Sequence, residues 1–64
     1  MKVNAKESAL KEPCTLTDFL NSNNYDIKTL AVEINGVIIP KVNFTSTILS
    51  DNDVLEIVCF FGGG

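Results

Sequence analysis

Apolar residues in this chain fall into short runs, and the spacing inside each run predicts an element. In the stretch LTDFLNSN, Leu16, Phe19 and Leu20 stand at i, i+3 and i+4, the single apolar stripe of a helix. Thr15, just ahead of the stripe, is a suitable N-cap, and Asp18 three residues later resembles a capping box with a shorter acid. Pro13 belongs before that helix, not inside it. Asn23 and Asn24 suit its end, because asparagine tolerates the left-handed backbone. In LAVEINGVIIP the pattern changes to two β-branched runs around Asn35-Gly36, the pair best suited to a type I′ hairpin turn. Pro40 lacks an N–H and ends the second strand.

The remaining segments are read the same way. MKV and KESALK form two short strands joined near Asn4, with Ala5 standing where a tight hairpin prefers glycine. KVNFTSTILSDND is an irregular connection in which Phe44, Ile48 and Leu49 are the expected core anchors. Its closing Asp51-Asn52-Asp53 turns the chain into VLEIVCFF, the last strand. Alternation there puts Leu55, Ile57 and Cys59 on one face and Val54, Glu56, Val58 and Phe60 on the other. Glu56 marks its own face as solvent-exposed, so the first set packs under the helix. Val58 and Phe60 are then exposed apolar residues, the usual mark of an interaction surface. Phe61 lies past the end of strand pairing.

The order is strand, strand, helix, strand, strand, connection, strand, an α+β arrangement with one main helix on one face of a mixed sheet of four to five strands. The middle of the chain serves as the crossover that lets first and last strands run parallel. This is the β-grasp topology of ubiquitin. Residues 1–61 form the domain, and Gly62, Gly63 and Gly64 form a flexible C-terminal tail.

Composition narrows the function. With 64 residues the chain is close to the lower limit for a self-supporting core, and its 45% apolar content favours a folded domain. Two cysteines are too few for a disulfide scaffold, and Cys59 and Cys14 read as small apolar residues. The opening MKVNAKESALKEP has no apolar stretch of the signal-peptide kind, and VLEIVCFF is far short of a membrane span. A cytoplasmic domain with no membrane partner is expected. The net charge is −3 and every basic residue is a scattered lysine, which argues against nucleic-acid binding. Absence of histidine removes most general-base and zinc-site readings. Asp51 and Asp53 are accounted for by turn chemistry, not by a metal loop. No nucleophile triad and no phosphate-cradling loop is present, so the chain is expected not to be an enzyme and to bind no cofactor or metal.

Three stretches in order, TLTDFL, LAVEINGVIIPKVNF and LSDNDVLEIV followed by GGG, resemble the ThiS family of thiamine-biosynthesis sulfur carriers over essentially the whole chain. There are two departures. The family commonly has glycine where this chain has Ala5. It also commonly has Asp-Gly-Asp where this chain has Asp51-Asn52-Asp53, asparagine being the best non-glycine substitute for a left-handed backbone. The resemblance implies that the Gly64 carboxylate, preceded by Gly63, is the sulfur-carrying group. An adenylyltransferase related to the ubiquitin-activating enzymes (ThiF-like) joins it to AMP from ATP. Sulfur from a cysteine-desulfurase system then displaces AMP to leave a thiocarboxylate, and thiazole synthase (ThiG-like) takes that sulfur into the thiazole ring.

Glycine suits this task physically. Three extended residues reach about 10 Å, and without a Cβ they enter a narrow channel in whatever conformation a partner imposes. Val58, Phe60, Phe61 and Gly62 are the expected partner contacts. The same fold and Gly-Gly end also occur in the molybdopterin-synthase small subunit, whose chains tend to be longer with prolines before the glycines. A glycine end on this fold also suits a ubiquitin-like modifier conjugated through Gly64, and the fold alone suits a β-grasp interaction module with an inert tail.

Overall fold

Helix formation begins where Thr15, in an extended conformation, accepts a hydrogen bond on Oγ1 from the Asp18 backbone N–H at 3.1 Å. The helix α1, Leu16–Ser22, follows, and Leu16, Phe19 and Leu20 are its buried residues. Asn23 closes it by donating both its backbone N–H and its side-chain Nδ2 to the Phe19 carbonyl. Asn24 then takes a left-handed φ of 62° and turns the chain away. The computed structural model describes residues 1–10 and 12–60. The expected tail of residues 62–64, and Phe61 before it, lie outside the described residues.

Besides α1, the chain forms β1 (Lys2–Val3), β2 (Lys6–Glu7), β3 (Cys14–Thr15), β4 (Leu30–Ile34), β5 (Val37–Ile39), β6 (Ile48–Leu49) and β7 (Val54–Cys59). Five of them make one sheet in the order β2-β1-β7-β4-β5. The first strand runs parallel to the last, with Lys2 opposite Val54, and all other neighbours are antiparallel. The core-facing residues Leu30, Val32 and Ile34 of β4 join Leu55 and Ile57 of β7 beneath Leu16, Phe19 and Leu20 of the helix. Cys59 and Cys14 are half-buried free thiols packed against the same cluster.

Both hairpins form with two-residue turns. Asn35 and Gly36 have φ of 52° and 84°, the type I′ pattern. At the first hairpin Asn4 and Ala5 do the same at 51° and 70°, so alanine occupies a conformation that its Cβ disfavours by about 1–2 kcal/mol. Glycine at this position loses extra freedom on folding, which offsets part of the relief. Ala5→Gly is therefore expected to stabilise the domain by about 0.5–1 kcal/mol, seen as a rise of several degrees in Tm. An unchanged or lower Tm contradicts the assigned strain.

The structure corrects three sequence expectations, two of them in the connection between β5 and β7. Phe44 and Leu49 are core residues, but Ile48 is 61% exposed. The reason is a two-stranded ribbon that the sequence pattern did not reveal, in which β6 pairs antiparallel with β3. Adjacent strand residues point to opposite sides, and in β6 the inward position goes to Leu49. KESALK also yields a strand only at Lys6–Glu7. Finally, neither Asp51 nor Asn52 has positive φ. The Asp53 N–H bonds the Ser50 carbonyl at 3.1 Å, so this is a turn that needs no left-handed residue and hence no glycine.

Asp51 and Asp53 do serve the turn region, and they tie it to the rest of the sheet. Asp53 accepts from the Ser50 backbone N–H and from Asn35 Nδ2, while Asn35 Oδ1 accepts from the Val54 N–H. Asp51 accepts from the Met1 ammonium at 2.9 Å and from the Leu10 N–H at 3.1 Å. The hydrogen bond from that ammonium, the Leu10 N–H and the ammonium's charge hold the Asp51 carboxyl below its ordinary range.

Candidate functional site

The outer face of the sheet is set by the backbone bonding of β7. Residues at odd positions bond toward β1: Asn4 N–H donates to Leu55 O at 2.8 Å. Beyond the end of β1 the Asn4 side chain replaces a strand, with Oδ1 accepting from the Ile57 N–H at 2.7 Å and Nδ2 donating to Ile57 O at 3.2 Å. Residues at even positions bond toward β4, as in Asn35 N–H to Val54 O and Phe60 N–H to Thr29 O. The last described residue is thereby pinned through its backbone to the start of β4. Sequence reasoning missed this asparagine clamp, since nothing local in MKVNAKE signals a partner more than fifty positions away.

Alternation along β7 then places side chains as expected from Glu56. Leu55 and Ile57 are buried, whereas Val58 is 55% and Phe60 60% exposed. From β4, Ala31 and Glu33 share this outer face, and from β5 so does Ile38, the register partner of Glu33. Ala31, Glu33, Ile38, Glu56, Val58 and Phe60 line a shallow groove of about 190 Å³ on the face opposite the helix. Ala31, Glu33 and Ile38 were not singled out from sequence, though the Asn35-Gly36 turn fixes a register that puts all three on one side of the hairpin, which Glu33 marks as solvent-facing. Of the expected partner contacts, Val58 and Phe60 are brought together on this face. Phe61 and Gly62, with the carrier positions Gly63 and Gly64, lie outside the described residues.

A larger hollow of about 450 Å³ on the helix side is lined by residues such as Leu10, Glu12, Cys14 and Phe19, and includes no residue of β7. The sheet-face groove, in contrast, ends at Phe60, four residues before Gly64. Among the described residues, no three His, Cys, Asp or Glu side chains come together as a metal site. No helix among them is long and apolar enough to cross a membrane.

A five-stranded mixed sheet with parallel first and last strands, one helix on its inner face and an open apolar outer face defines a β-grasp protein of the ubiquitin-like class. The sequence profile of the ThiS family matches residues 1–64, and the chain belongs to that family. It is 38% identical over 65 aligned positions to the sulfur carrier protein ThiS of Bacillus subtilis, covering all of this chain and 98% of that one. It is 36% identical over 62 residues to part of a thiazole synthase of Paramagnetospirillum magneticum, a match spanning 97% of this chain and 19% of that protein. The crystal structure of the thiamine biosynthesis protein ThiS from Geobacter metallireducens superposes with a TM-score of 0.84 at 30% identity, covering 98% of this chain and 96% of that one.

Proposed function

We propose that this chain is a sulfur carrier of thiamine (thiazole) biosynthesis, a protein co-substrate and not itself an enzyme, and that it works through the carboxylate of Gly64. The observation that carries this reading is membership of the ThiS family over residues 1–64, a match that runs through Gly62, Gly63 and Gly64. A partner adenylyltransferase activates the carboxylate: its oxygen attacks the α-phosphorus of ATP, pyrophosphate leaves, and an acyl-adenylate forms. The terminal sulfur of a persulfide, formed by a cysteine desulfurase, then attacks the carbonyl carbon as AMP departs, and a thiol cleaves the resulting acyl disulfide to leave the thiocarboxylate and a new disulfide. Thiazole synthase accepts that sulfur. A thiazole synthase containing a segment similar to 97% of this chain supports the pairing of carrier and synthase.

The carrier's own contribution is presentation. Glycine at 63 and 64 leaves the carbonyl carbon open to attack, and the open sheet face offsets the free-energy cost of ordering the tail in the partner. Val58, Phe60 and Phe61 are the proposed docking residues, with Gly62 entering the partner's channel. Phe60→Ala is expected to weaken binding to the cognate adenylyltransferase by roughly tenfold or more, the scale of an aromatic anchor. Its Tm should move by no more than an exposed substitution allows, within about 0.5 kcal/mol. Titration calorimetry with parallel thermal melts checks both, and a large loss of stability places Phe60 in the core instead. The reaction itself is tested by ATP–pyrophosphate exchange, which the adenylyltransferase should catalyse only when this chain is present.

A further inference from the structure

Glu33 and Glu56 are direct cross-strand partners in the β4–β7 ladder, and both point out of the open sheet face. Because even positions of β7 bond toward β4, this is a hydrogen-bonded pair, with Cα atoms about 5.5 Å apart. Like charges directly opposite one another destabilise a sheet. Nothing described in the chain relieves them. Among the described residues neither carboxylate accepts a hydrogen bond or makes an ion pair, the one salt bridge being Met1 to Asp51. On this face Lys2 is the basic neighbour; it stands opposite Val54 and Glu7, diagonal to Glu56, and forms no ion pair with it. Around the two carboxylates the lining is apolar: Ala31, Ile38, Val58 and Phe60.

From this arrangement we infer that the enzyme surface docking on the sheet face presents an arginine to Glu33 and Glu56, surrounded by apolar side chains that fill the groove. The inference rests on the docking reading above and specifies the chemistry of the partner. Charge complementarity selects the group. Two outward carboxylates one strand spacing apart match a planar guanidinium, which donates to two acceptors and, being weakly hydrated, lies readily against apolar and aromatic surface. An ammonium is more strongly hydrated and suits such a rim less well. The apolar groove supplies contact area without orientation, whereas the carboxylate pair fixes the register in which the tail enters the partner. The cost in the free carrier is cross-strand repulsion, which docking removes.

The test is E33Q/E56Q, which keeps shape and removes both charges, assayed with the cognate adenylyltransferase. Binding by titration calorimetry at low salt should weaken roughly tenfold, and the salt dependence of the parent's Kd should largely disappear. The Tm of the free variant should stay the same or rise, because repulsion is relieved. A purely structural role for the pair cannot give that combination of weaker docking and undiminished stability. If the parent supports ATP–pyrophosphate exchange and the variant binds with the parent's affinity and salt dependence, the arginine contact is wrong while the carrier function stands. If the parent neither binds nor supports exchange, the functional reading fails, and the inference with it.

Discussion

Removing Gly64 should abolish activation of this chain while leaving its fold intact. The deletion moves the terminal carboxylate back by about 3.5 Å, the reach of one extended residue. Misplacement of a reacting group by only 1 Å can cost roughly 100-fold in rate, so ATP–pyrophosphate exchange on the deletion variant should fall at least that far. Docking should survive, since Val58, Phe60 and the groove are untouched, so the variant should compete with the parent for the adenylyltransferase. Its Tm should match the parent within the scatter of surface changes, about 0.5 kcal/mol. Exchange at the parent's rate would remove Gly64 from the chemistry. Loss of both exchange and binding would place part of the docking energy in the tail itself.

The second large effect is on stability. Among the described residues Phe44 is the largest fully buried side chain, held in the core from an otherwise irregular connection, and its carbonyl accepts from the Thr17 N–H in the first turn of α1. Phe44→Ala should cost about 3–5 kcal/mol through lost burial and the cavity left behind. A domain of this size has a total stability of only about 3–10 kcal/mol at typical values per residue. The variant should therefore be largely unfolded, or close to it, at 37 °C, which urea titration followed by circular dichroism measures. A loss below about 1 kcal/mol would mean that the connection collapses to fill the space and that Phe44 is not an anchor.

How far the sequence reached depended on whether the governing interaction was local. The helix was legible because Thr15, Leu16, Phe19 and Leu20 fix its start and face within one turn and a half. The central hairpin was legible because Asn35-Gly36 prescribes its own turn and register. The two faces of β7 followed from one residue, since Glu56 is charged and the period is two. The pair Ile48 and Leu49 was not legible: both are apolar and adjacent. Which of them turns inward is settled by pairing with Cys14 and Thr15, more than thirty residues earlier in the chain. The Asn4 clamp on Ile57 is likewise invisible without the parallel pairing of β1 and β7. Asn52 misled because asparagine permits a left-handed backbone without requiring one, and the Ser50–Asp53 turn uses the ordinary region. At the candidate site, Val58 and Phe60 were readable from alternation alone. The opposition of Glu33 to Glu56 needed the register of β4 against β7.

The central claim is that Gly64 carries sulfur. Its most direct test is the intact mass of the purified chain after incubation with ATP, the cognate adenylyltransferase and a cysteine-desulfurase system. The predicted result is a single mass increase equal to replacement of one terminal oxygen by sulfur, mapped to the C-terminal peptide and absent without ATP. An unchanged mass with a partner that is demonstrably active, or amide-linked conjugates of higher mass in place of the thiocarboxylate, contradicts the carrier and, in the latter case, identifies a modifier joined through the same glycine.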